Sequence, residues 1–237
     1  MKALARWLAL VLVALLALQL FFVARIACMA VVAPASTAFE RSEAWRLWHT
    51  SGRLPWRQQW VAYPDIADSL KRAVIASEDG DFVNHDGVEW DAVEAAWKKN
   101  ARAQALTRQR PNRPARIVGG STITQQLAKN LLLSGERNLV RKGQELVLTQ
   151  LLEALLTKRR ILELYLNHVE WGEGVFGAEA AARHYFRKSA AKLTEYEAAR
   201  LAVMLPRPKY FEKLPNSAYA AGRAQTIMAR MASAELP

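Results

Sequence analysis

The chain has 237 residues, with 33 Lys and Arg against 22 Asp and Glu, a formal net charge of +11. A composition 51% hydrophobic and 23% charged excludes a wholly disordered chain, and 11 Gly with 9 Pro exclude collagen-like or Pro/Gly-rich low complexity. One cysteine, Cys28, can close neither an intrachain disulfide nor a multi-cysteine zinc site, so packing must hold the fold, while the basic excess points to acidic partners.

From Trp7 to Ala24 the chain carries no charge, and Gln19 is its only strongly polar residue. That run approaches the ~20 apolar residues that cross a bilayer. Arg25 can snorkel at the far interface, after which IACMAVVAPA resumes the apolar tract. Lys2 and Arg6 precede the run and should remain cytoplasmic. The tract is longer than the ~7–15 residues of a cleavable signal, which favours a retained anchor, although Ala33-Pro34-Ala35 resembles a cleavage site. The remainder is then expected in a periplasm or cell exterior, as a single-pass inner-membrane protein, where nucleic acid is no client.

Residues 36–64 form a connector with Trp45, Trp48, Trp56 and Trp60, suited either to head-group depth or to ordinary packing. From Asp65 onward helical signals dominate. Asp65 is expected to cap IADSLKRAVIASE, and a second helix is expected over Asp91 to Ala105. Thr122 and Gln125 form a T-x-x-Q box opening TITQQLAKNLLL. Two i, i+4 leucine-rich stripes over Leu139 to Thr157 predict a core helix, and KRRILELYLN continues or restarts it. Thr194 and Glu197 form another capping box, and Asn216-Ser217 precedes a last helix to about Met231. No useful period-2 run appears. The expected division is 1–35 for the cytoplasmic N-terminus and anchor, 36–64 for the connector, and 65–237 for a mostly α body.

Between Ala95 and Gly135 there is no Asp or Glu, yet Lys98, Lys99, Arg102, Arg108, Arg110, Arg113, Arg116 and Lys129 accumulate. TRQRPNRPARIVGG should be a loop, either a solvated segment or part of an anion site. Gly119-Gly120 deliver the chain into a helix start near Ser121, whose unpaired N–H groups favour an anion, and Lys129 lies two turns along that helix. Arg137, Arg141 and Lys142 follow. Diphosphate suits these parts best. Upstream, the acidic run EDGDFVNHDG follows an apolar helix end, so Glu78 is expected half inside the body, with a carboxyl raised toward general-base use; a solvated acidic turn is the alternative. The run lacks the calcium-loop pattern, and His85 has no second His at i+3 or i+4 to suggest zinc. Glu145 lies four residues after Arg141 and reads as a site carboxylate or a surface ion pair.

EDGDFVNHDG, GGSTITQQLAKN, RKGQE and KRRILELYLN, in this order over about 65–211, resemble the peptidoglycan glycosyltransferases. The resemblance is to the monofunctional transglycosylases rather than to bifunctional penicillin-binding proteins. Ser189 and Lys192 do fit S-x-x-K, but S-D-N and K-T-G are missing. It implies a mostly α, lysozyme-like glycosyltransferase domain behind one transmembrane helix. It further implies a donor glycan on undecaprenyl diphosphate, lipid II as acceptor, Glu78 and Glu145 as the catalytic carboxylates, and a membrane-embedded site. Ser121, Thr122, Gln125, Gln126, Lys129, Arg137 and Arg141 would bind the diphosphate. Glu145 would orient these cations or hold a divalent ion, Mg or Mn, and cell-wall synthesis or division proteins would be partners. The role of Arg108 to Arg116 is left open, and a wall hydrolase or a noncatalytic membrane scaffold are the alternative functions.

Overall fold

The computed structural model describes residues 2–109, 120–133, 139–214 and 217–237. Arg137 and the loop arginines 110, 113 and 116 lie outside them. Helix α1 (Lys2–Met29) contains the apolar tract. At about 1.5 Å per residue its 28 residues extend roughly 42 Å, more than the ~30 Å of a hydrocarbon core. Residues 2–18 touch nothing that buries them, whereas Phe22, Ile26 and Met29 join the main core. These positions share one helix face, so the last turns of α1 are docked on the body. Arg160 fixes the end by donating from Nε to the Met29 carbonyl at 2.7 Å.

The polar residue of the span has a partner. Gln19 and Gln144 exchange two amide hydrogen bonds at 3.1 Å, joining α1 to α6 (Leu139–Leu155). Gln144→Leu would leave the Gln19 amide without this partner, at an expected loss of about 1 kcal/mol. Adding Gln19→Leu should recover most of it. Thermal unfolding in detergent would show both effects.

The connector is more ordered than its composition suggests. Helix α2 (Ala38–Ser51) opens on a full capping box between Thr37 and Glu40 and ends at Gly52 in the left-handed region. Strand β1 (Arg57–Gln58) then enters a small sheet of order β1-β3-β2, with β2 (Glu170–Gly172) antiparallel and β1 parallel to β3 (Val175–Phe176). Such short strands leave no period-2 signature. Trp56 stacks on Phe176 with ring centroids 4.5 Å apart, while Trp45, Trp48 and Trp60 stay exposed.

Asp65 does not cap a helix: it closes a 3-10 turn over Tyr63–Asp65 that Pro64 favours, and α3 (Asp68–Glu78) starts behind Ala67 with no side-chain cap. Helix α4 (Trp90–Gln109) runs four residues past Ala105, so the start of the basic segment, through Arg108, is helical rather than loop. Helix α5 (Ile123–Leu132) begins at its expected T-x-x-Q box, with both reciprocal bonds made. Thr157 caps a new helix, α7 (Lys158–His168), so KRRILELYLN restarts. The chain continues through α8 (Ala178–Phe186), α9 (Glu195–Met204) behind its capping box, α10 (Pro208–Phe211) and α11 (Ala218–Met231) behind Ser217.

Helices α3, α9 and α11 pack mutually on one side, and α5 packs against α6 and α7 on the other. Of the two stripes on α6, Leu148, Leu152 and Leu156 are buried, but Val147 and Leu155 are exposed, as are Val140 and Leu146. The helix is therefore core on one side and bare apolar surface on the other, and it is the helix that carries α1.

Candidate active site

The site starts where α3 ends. Its apolar face, with Leu70, Val74 and Ile75 buried, drives the helix into the core, so its last residue, Glu78, stops half-buried at the surface. The next residue, Asp79, is buried. Its Oδ2 accepts the Ile123 N–H at 2.9 Å, one of the unpaired donors at the start of α5, and its Oδ1 lies 2.8 Å from His85 Nε2. The Thr122 hydroxyl donates to the Gly87 carbonyl at 2.6 Å. Gly87 has φ +81, and a Cβ there would lie 2.7 Å from Thr149 Cγ2, so only glycine lets the acidic turn lie this close to α6. The acidic run and the T-x-x-Q helix start are thereby fastened together.

Gln126 completes the junction. Its Nε2 donates to Glu78 Oε2 at 2.9 Å, and its Oε1 accepts from the Tyr165 hydroxyl of α7 at 3.0 Å. Burial pushes the Glu78 carboxyl above its usual range; hydrogen bonds from Gln126 and Ser77 and the charge of Arg223 oppose this, while Asp79 adds to it. Glu78 opens onto a polar hollow lined also by Ser77, Gly80, Glu89, Arg230 and Ser233. A carboxyl so placed can accept a proton from a hydroxyl that enters the hollow.

Among the expected anion-binding residues, Ser121 is exposed at the helix start and Lys129 is exposed one turn beyond Gln126, on the same side of α5. Thr122 and Gln125 are buried and spend their side chains on the capping box, so they shape the helix start. On neighbouring α6, Glu145 is 3% exposed, so the i, i+4 ion pair with Arg141 forms but is not a surface one. Its Oε2 receives Arg141 Nη1 at 2.9 Å and its Oε1 the Lys142 ammonium. Both carboxylate oxygens thus face cations, a donor set that does not fit a divalent ion. Among the described residues no three His, Cys, Asp or Glu are grouped to hold one.

Four residues of the junction were not evident from spacing. Tyr165 lies inside KRRILELYLN but reads only as a core aromatic. Asp79 and His85 stand within the acidic run without any sign of which carboxylate turns inward. Glu153 accepts from Thr124 at 2.6 Å and from Lys158 at 2.9 Å, and Lys158 also reaches the His85 carbonyl, bracing the same junction from α6 and α7.

Comparison with known proteins agrees with these motifs. The transglycosylase family model matches residues 49–232. A biosynthetic peptidoglycan transglycosylase of Burkholderia thailandensis is 54% identical, over 100% of this chain and 90% of its own length. Proteins of the same name from Paraburkholderia xenovorans and Burkholderia pseudomallei are 51% and 53% identical, over 98% and 100% of this chain and 94% and 90% of theirs.

Proposed function

The chain belongs to the transglycosylase family, and within that family we propose that it polymerises peptidoglycan glycan from lipid II outside the cytoplasmic membrane. The donor is the growing chain on undecaprenyl diphosphate, and the acceptor is the sugar 4-hydroxyl of lipid II. Glu78 takes the hydroxyl proton on Oε1, the oxygen that Gln126 leaves to the Ser77 hydroxyl at 3.4 Å, which the substrate hydroxyl would displace. The acceptor oxygen bonds to the donor C1 as the C1–O bond to diphosphate breaks, which inverts an α-linked diphosphate to a β-1,4 link. Charge develops on the departing diphosphate. Lys129 and Arg141, with Arg137, stabilise it, and Glu145 holds Arg141 and Lys142 in place; the N–H groups of Thr122, Ile123 and Gln125 at the start of α5 are taken by Gln125, Asp79 and Thr122 and are not available to it.

The observation that supports this reading is the bond between Glu78 and Gln126, which sets a half-buried carboxyl beside α5, the helix that also carries Lys129. Helix α1 anchors the chain with Lys2 and Arg6 inside, and the body, residues 36–237, lies outside. The bare apolar face of α6, beside α1, and the exposed Trp45, Trp48 and Trp60 suit a body resting on the bilayer, where a lipid-borne substrate arrives. Incubating detergent-purified protein with labelled lipid II and resolving products by length tests the reading. A ladder of long glycan is expected. Lack of turnover would leave the scaffold reading, and cleavage of finished wall into short fragments the hydrolase reading.

A further inference from the structure

The Tyr165 hydroxyl is buried within the core of α7, and its hydrogen bond in the structure is to Gln126 Oε1. An O–H group closed off from water must donate, because an unsatisfied buried donor is costly. Gln126 can meet that need in one orientation only. With Oε1 toward Tyr165, the amide N–H points at Glu78 Oε2. With the amide turned over, Nε2 would face the phenol oxygen, the phenol hydrogen would lose its acceptor, and the amide oxygen would face the carboxylate. The two amide orientations also favour opposite states of Glu78. An N–H donor stabilises the ionised carboxylate; a carbonyl oxygen accepts from the protonated acid.

We infer that Tyr165 is a positioning residue for the reaction: through its hydrogen bond it locks the Gln126 amide so that Glu78 is held ready to accept a proton. The inference rests on the reading of Glu78 as the base. Other groups facing Glu78 are Ser77, whose hydroxyl donates to Oε1 at 3.4 Å, Asp79 beside it and Arg223 from α11, and Glu89 and Arg230 line the same hollow. The hydrogen bond of the phenol is to Gln126, so removing the hydroxyl takes no hydrogen bond from these groups, although the Asp79 charge also acts on the phenol. Burial holds the Tyr165 phenol well above its usual value, so it remains a donor across the working pH range.

The test is Tyr165→Phe, read in two ways on the full-length protein in detergent. First, infrared difference titration follows the protonated-carboxyl band, assigned to Glu78 by its disappearance in Glu78→Gln. The midpoint should rise by about half a pH unit, the share of one neutral hydrogen bond that reaches the carboxylate. Second, the acidic limb of the kcat/KM profile for lipid II should move upward by the same amount, with activity well above that limb close to that of the parent protein. A purely structural role would lower activity at every pH and leave the midpoint unmoved. Gln126→Leu should shift the midpoint at least as far, and Tyr165→Phe added to it should shift it no further. A midpoint in Tyr165→Phe that coincides with that of the parent overturns the inference. Should that variant fail to fold, an unmoved midpoint in Gln126→Leu does so. A shifted infrared midpoint with an unshifted kinetic limb would instead contradict Glu78 as the base, leaving the positioning contact intact.

Discussion

Glu78→Gln should reduce glycan synthesis from lipid II by about 10²- to 10⁴-fold, the usual contribution of a positioned general base. The amide has the shape of the carboxyl and can still accept from Gln126, so the junction between α3 and α5 survives. Stability should not fall. A carboxyl whose pKa is raised by burial weakens the fold once pH exceeds the unfolded value, because its ionisation is easier in the unfolded chain. Glu78→Gln removes that penalty, so its thermal midpoint should exceed the parent's at neutral pH and match it under acid conditions below both values. Lipid II binding in the absence of turnover should be nearly unchanged. Loss of activity accompanied by loss of stability would instead mean that Glu78 is part of the scaffold.

The larger structural effect is expected at the neighbouring position. Asp79→Ala leaves the Ile123 N–H and His85 without the carboxylate that both meet in the interior. Breaking a buried pair by removing one partner costs about 3–5 kcal/mol, which for a chain of this size lowers Tm by roughly 6–20 °C. Asp79→Asn keeps an acceptor for Ile123 and should lose less. The Asp79 hydrogen bond raises the His85 pKa above its ordinary value of 6.5. The stability from this pair is therefore fully present below about pH 6.5 and fades as pH rises through the higher folded value. In Asp79→Ala that slope should vanish. Thermal unfolding as a function of pH measures both, and a Tm within 2 °C of the parent's, or a preserved slope, would show that Asp79 does not hold the junction.

What could be read before the fold was known divides by range. The boxes at Thr122 and Gln125 and at Thr194 and Glu197 join residues three apart, and each opens a helix. Thr37 and Glu40 carry the same local signal, yet the surrounding tryptophans suggested a connector rather than α2. Asp65 looked like a cap because an acidic residue precedes an apolar pattern; Pro64 turns the chain there, and Asp68, in the first helical turn, pairs with Lys71 instead. The apolar stripes of α6 were visible, but sequence could not say which one faces protein, since a membrane accepts the other equally well.

The site itself is tertiary. Glu78 meets Gln126 across 48 positions and Asp79 meets Ile123 across 44. No periodicity encodes such contacts. The resemblance singled out Glu78 and Glu145 by motif alone, and it gave no hint that Tyr165 orients the amide between helix and base, because a tyrosine on an apolar face looks like any other core residue. For Glu145 the fold adds burial between two cations, which a four-residue spacing does not predict.

On the proposed function, ionisation of Glu78, whose carboxyl is raised by burial, switches on transfer. The direct measurement is the pH dependence of kcat/KM for lipid II in the parent protein and of the residual rate in Glu78→Gln. An acidic limb above the ordinary glutamate value of 4.5 is expected in the parent, with no such limb in the variant. The same limb persisting in the variant would assign the titrating base to another residue.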